Sequence, residues 1–178
     1  QIAHLGHSAG AGAGLMLAGA PRNYVCAQAY GKGQDTVVPC AEDDLVAKRD
    51  SRIKAVLAFS NQGPDQDGFM EASFHQVDGP VLIATGAADG EDGEPANRTR
   101  AFELLESSGD SKNRFLLFID DPGATHTFFS AQLDSCGEVR EDARCAEMNS
   151  WLHATAVAFL DSELKNISDA TDWLRSGG

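Results

Sequence analysis

Positive charge is scarce in this chain. Fourteen Lys and Arg stand against 27 Asp and Glu, a formal net charge of −13, and the basic residues form no run. Binding a phosphate backbone requires clustered Lys and Arg that displace counterions, so nucleic acid is not an expected partner. Long apolar runs are also lacking. None approaches the roughly 20 residues needed to span a bilayer. Cysteine is limited to Cys26, Cys40, Cys136 and Cys145, separated by 14, 96 and 9 positions. With no Cys-x-x-Cys pair and no Cys/His cluster, the spacing argues against a zinc site. Asp65-Gln66-Asp67-Gly68 has the look of a calcium loop. Placing Gly68 sixth, however, puts Gly63 and Phe74 where the first and twelfth acids belong. The acidic run from Asp89 to Glu94 reads as a solvated loop. No metal and no cofactor is expected.

What is present is an ordinary globular composition. Of 178 residues, 42% are hydrophobic and 23% charged, enough for one sizeable core in a single domain, 1–178. Three continuous apolar runs, Ile53–Phe59, Pro80–Thr85 and Phe115–Ile119, each end in loop chemistry. Continuous rather than alternating runs are what parallel strands need when both their faces are covered. Ile2–Leu5 reads as the tail of a fourth strand. Helices are expected over Ser8–Leu17, over 96–107 with Ala101, Leu104 and Leu105 on one face, and over 148–164. In the last, Met148, Trp151, Leu152, Thr155, Phe159 and Leu160 form a core-facing stripe. Alternating strands and helices imply an α/β fold with a mostly parallel sheet.

The cysteine spacing suits two short loops, each closed by its own disulfide, and hence an oxidising, secreted or extracytoplasmic setting. Four free thiols in a cytosolic protein are the alternative. Asn97-Arg98-Thr99 and Asn166-Ile167-Ser168 are glycosylation sequons of a kind that chance often supplies.

The chemistry points to Gly6-His7-Ser8-Ala9-Gly10. A serine on a sharp turn from strand to helix projects its hydroxyl above the sheet edge, and its neighbours two residues away must lack bulk. Gly6 and Gly10 meet that need, and Ala11-Gly12-Ala13-Gly14 lets the helix lie close on the sheet. The helix N-terminus offers backbone N–H groups to developing negative charge, first that of Ala9. A serine hydroxyl needs a histidine to accept its proton and a carboxylate to orient that histidine. Both candidates follow later strands in the order acid then histidine: Asp89 after the run ending at Thr85, and His126 after the run ending at Ile119. Glu91, Asp92 and Glu94 are rival acids. Open parallel sheets bind ligands at these carboxyl ends. His7, Phe69 and Phe128 are candidate substrate-lining residues, with Met70, Phe74 and Phe129 beside them, and a plain packing role is an equal reading for each. His4, His75 and His153 read as structural or exposed, as His7 does if it lines no pocket.

Over nearly its whole length the chain resembles the α/β-hydrolases, within them the secreted dienelactone-hydrolase-like and platelet-activating-factor-acetylhydrolase-like esterases. The resemblance is carried by "GHSAGAG", "RIKAVLAFSNQGP", "GPVLIATGAAD", "GATHTFF" and "MNSWLHATAVAFLDSEL". It implies a Ser–His–Asp hydrolase of carboxylic esters with Ser8 as nucleophile, His126 as base, Asp89 as acid and the Ala9 N–H as oxyanion donor. Serine stands where dienelactone hydrolases carry cysteine, which moves the expected substrate to a general small-molecule or lipid-like ester. A lipase or cutinase-like polyesterase and a non-catalytic hydrolase-like binding domain are the alternatives. Such enzymes place about four strands and a second oxyanion donor ahead of the serine turn. The chain is therefore expected to be the C-terminal part of a longer enzyme, with the missing N-terminal half as a partner and weak activity alone.

Overall fold

The computed structural model describes residues 1–30, 44–90, 95–108, 113–130 and 143–177, with side chains 28–30 excepted. Four strands, β1 (Ile2–His7), β2 (Ile53–Phe59), β3 (Val81–Gly86) and β4 (Arg114–Ile119), form one parallel sheet in the order β1-β2-β3-β4. Helices α1 (Ala9–Leu17), α2 (Tyr24–Tyr30), α3 (Glu71–Phe74), α4 (Ala96–Ser107), α5 (Ala143–Lys165) and α6 (Ser168–Ser176) surround it. This is an α/β fold. Each strand has neighbours on both faces, so β3 is buried at every residue and the apolar runs need no polar alternation.

Two cores result. Val56, Ala58, Val81 and Ile83 pack with Leu15 of α1, Phe74 of α3 and Leu104 and Leu105 of α4. On the opposite face, Leu57, Phe59, Leu82 and Ala84 pack with Met148, Leu152 and Phe159 of α5. Fully burying the Val, Leu, Ile, Phe and Met side chains among these contributes about 1.5–3 kcal/mol each. At the sheet edge, Leu5 of β1 is 54% exposed.

The first helix lies tight on the sheet because it is built of small residues. A Cβ on Gly14 would stand 2.4 Å from His4 Cδ2 and 3.0 Å from Val56 Cγ1. His4 also ties strand to helix, its Nε2 donating to the Gly10 carbonyl at 2.9 Å. The α4 helix spans the expected residues. The α5 helix starts five residues before the expected 148, and its stripe differs at one place: Trp151 is 37% exposed, with the Arg144 guanidinium 4.9 Å above its ring. A cation over an indole face stabilises a half-wet tryptophan, so the residue serves the surface rather than the core. No helix among the described residues is long and apolar enough to cross a membrane.

Neither Cys26 nor Cys145 is a free thiol. Cys40 and Cys136 lie outside the described residues, as do the rival acids Glu91, Asp92 and Glu94.

Candidate active site

The strands end level with one another. His7 pairs with Phe59, Phe59 with Ala84, and Ala84 with Leu117. The ladder runs one residue further, with Ser8 N–H donating to the Phe59 carbonyl and Ser60 N–H to the Ala84 carbonyl, both at 2.9 Å. Both serines then turn out of the sheet in the left-handed region, at φ 54° for Ser8 and φ 48° for Ser60. Non-glycine residues rarely adopt such φ values, and where they do the strain is held by the surrounding structure and often serves function.

At Ser8 the surroundings are visible. A Cβ on Gly6 would lie 2.3 Å from the Gly10 carbonyl group, so only glycine allows the chain to fold back here. Gly10 itself corrects the sequence expectation: a Cβ there meets nothing within 4 Å. The crowding is at Gly6, against the backbone of Gly10. Ser8 precedes α1 as its N-cap, yet its side chain makes no capping hydrogen bond, unlike most serines at that position. The Gln62 amide braces the turn. Oriented so that both its groups find partners, it donates to the Ser8 carbonyl at 3.1 Å and accepts the Ala9 N–H at 3.3 Å.

Asp89 and His126 are brought together by backbone. Beyond β3 and β4, Ala88 and Thr125 form one more parallel bridge, and the acid and the histidine are the residues immediately after it. Gly86 permits that approach, since a Cβ there would stand 2.3 Å from Ala124 Cβ. Just past His126, a 3-10 turn at Phe128–Ser130 sinks Phe128 and Phe129 into the core, edge to face at 5.0 Å. Phe128 thus anchors the histidine loop. Phe69 is buried just as fully in the core on the other side of the sheet, and both aromatics are packing residues, offering no surface to a substrate.

Asp89 is 0% exposed and accepts on both oxygens. Oδ2 takes the hydroxyls of Ser60 at 2.6 Å and Thr85 at 2.8 Å. Oδ1 faces His126 Nδ1 at 3.1 Å and Arg98 Nε at 2.9 Å. The His126 side chain stays 40% exposed. Its ring packs against that of His7, centroids 4.6 Å apart, and His7 Nε2 donates to the His126 carbonyl at 2.8 Å. Because His7 is the residue before Ser8, this stack holds the imidazole beside the serine turn. Among the described residues no hydrogen bond joins the Ser8 hydroxyl to His126. Burial is the main cause holding the pKa of His7 below its ordinary value. The hydrogen bond to the His126 carbonyl opposes this, and charge on His126 reinforces it.

Sequence reasoning missed Arg98, Ser60, Thr85, Gln62 and the part His7 plays. For Arg98 a signal existed: positions 98, 101 and 105 follow the i, i+3, i+7 spacing of the buried face of α4, so the apolar stripe contains an arginine. Among the described residues no group of His, Cys, Asp and Glu is arranged to hold a metal. No protein-family model matches the chain, and no curated protein matches it.

Proposed function

We propose that the protein is a serine hydrolase that cleaves carboxylic esters through an acyl-enzyme, with Ser8 as nucleophile, His126 as general base and Asp89 as the orienting acid. One observation carries the reading: a wholly buried carboxylate contacts Nδ1 of a solvent-accessible imidazole that packs against the residue preceding a strained serine. Ester cleavage needs those groups in that order. The Ser8 oxygen bonds to the ester carbonyl carbon as its proton passes to His126 Nε2. The carbonyl electrons move to the oxyanion, which the Ala9 N–H receives in place of the Gln62 amide. Collapse expels the alcohol, which takes the proton from His126. Water then attacks the acyl-serine by the same steps and releases the acid. Asp89 accepts from Nδ1–H of the reacting tautomer throughout.

Cys26 and Cys145, neither of them a free thiol, suit an extracytoplasmic setting for this chemistry. The test is covalent labelling with a fluorophosphonate probe. A single adduct on Ser8, absent from Ser8→Ala, supports the hydrolase. An unlabelled but folded protein supports a binding domain instead. Hydrolysis rates across p-nitrophenyl esters of rising acyl length then separate a small-ester hydrolase from a lipase or polyesterase.

A further inference from the structure

Arg98 is 8% exposed, and its guanidinium is pressed into the Asp89–His126 pair. Nε donates to the Asp89 carbonyl at 2.7 Å and lies 2.9 Å from Oδ1. Nη1 donates to the carbonyls of Ser60, at 2.9 Å, and Asn61. Nη2 lies 3.1 Å from His126 Nδ1. An arginine N–H can only donate. This contact is therefore a hydrogen bond only when Nδ1 bears a lone pair, which means that the imidazole proton sits on Nε2. The contact between the same Nδ1 and Asp89 Oδ1 requires the opposite, a proton on Nδ1. One nitrogen cannot satisfy both neighbours at once.

We infer that Arg98 is a positioning residue that divides His126 between its two neutral tautomers. In one, Nδ1–H donates to Asp89 and Nε2 is open to accept a proton. In the other, Nδ1 accepts from Arg98 and Nε2 is already protonated, so the ring cannot serve as base. Asp89 tolerates the second form because it keeps three donors, Ser60, Thr85 and Arg98, when the imidazole proton leaves. In an acid with the histidine as its principal donor, that form would strand a buried charge. Arg98 thus fixes the carboxylate and at the same time withdraws part of the imidazole population from proton transfer. The inference rests on the hydrolase reading for its catalytic consequence, while the tautomer balance belongs to the resting protein.

Long-range proton–nitrogen correlation spectra of the 15N-labelled protein, recorded where His126 is neutral, read the tautomer from the two ring nitrogen shifts. The His126 signals are assigned by their loss in His126→Asn. The expected wild-type pattern is mixed, with protonated and bare character on both nitrogens. Arg98→Met, which keeps length but removes every donor, is expected to shift His126 to the single Nδ1–H pattern. A wild-type spectrum showing only Nδ1–H overturns the inference, as does a mixed pattern that persists in folded Arg98→Met. If Arg98→Met fails to fold, the wild-type spectrum alone decides. The fluorophosphonate result separates the two readings. A mixed tautomer with unlabelled Ser8 sinks the hydrolase and leaves the inference standing, whereas labelled Ser8 with a pure Nδ1–H ring sinks the inference alone.

Discussion

His126 Nδ1 lies 3.1 Å from Oδ1 of Asp89, a carboxylate with no exposed surface. Burying an ion costs several kcal/mol unless excellent geometry and further hydrogen bonds repay it. Asp89 has such partners in Ser60, Thr85 and Arg98, which come from the end of β2, the end of β3 and helix α4. The acid is therefore held by the scaffold before any ligand arrives, and the imidazole is the solvent-facing member of the pair. Pre-built polar geometry of this kind supports catalysis by avoiding reorganisation at the moment of reaction.

Asp89→Asn tests the acid. The carboxamide keeps the shape but loses the charge, and an NH2 group in the place of Oδ1 faces Arg98 Nε, which can only donate. Stability measured by urea unfolding is expected to fall by about 3–5 kcal/mol, the usual cost of breaking a buried ion pair. Ester turnover is expected to fall by about 10⁴, as when a triad histidine is left in the wrong tautomer. Turnover that survives Asp89→Asn but disappears in Asp92→Asn would transfer the role to Asp92.

Ser60→Ala and Thr85→Val each remove one hydroxyl from Oδ2. Hydrogen bonds to a charged group contribute about 1.5–3 kcal/mol, and each variant is expected to lose stability in that range. Because the hydroxyls share one oxygen, the double variant is expected to depart from additivity. Strictly additive losses in stability would show that the two hydroxyls act on the carboxylate independently of one another.

The glycines of the serine turn separate cleanly. Gly6→Ala drives a Cβ into the backbone of Gly10, which cannot move aside as a side chain can. Overpacking costs about 1–3 kcal/mol, and the turn geometry is expected to suffer too, with fluorophosphonate labelling slowed. Gly10→Ala meets open space at the start of α1 and is expected to gain about 0.4–1 kcal/mol by restricting the unfolded chain. Thermal unfolding of the two variants in opposite directions is the check.

Much of this arrangement was legible in the sequence because burial on both faces leaves a strong trace. Ile53–Phe59 was readable to the residue, since past the exposed Lys54 every position from Ala55 to Phe59 is apolar and buried. Helix α4 was equally clear from Ala101, Leu104 and Leu105. Helix α6 went unread because none of its residues is buried, and α3 because four residues are too few to show a period. At the site, Ser8, Asp89 and His126 stood out because each follows a strand. Ser60 and Thr85 did not, because a hydroxyl at a strand end has no sequence signature until the carboxylate it serves is located. His7 was hidden for a similar reason: its importance lies in a stack across 119 positions of sequence.

That stack yields a pH dependence whose sign is fixed. Burial keeps the pKa of His7 below its ordinary 6.5, so the folded protein favours the neutral ring more than the unfolded chain does. As the pH falls, the unfolded chain takes up this proton first, and folding stability declines. The contribution of His7 is complete above the unfolded value and is lost as the pH falls through the lower, folded one. Carboxylates titrate nearby in pH, so the informative quantity is the difference between wild type and His7→Gln, whose amide can still donate to the His126 carbonyl. Urea unfolding from pH 7 to pH 5 is expected to show a shallower loss in His7→Gln. Parallel curves would mean that the ring is as easily protonated in the folded protein as outside it, and that its packing against His126 imposes no charge preference.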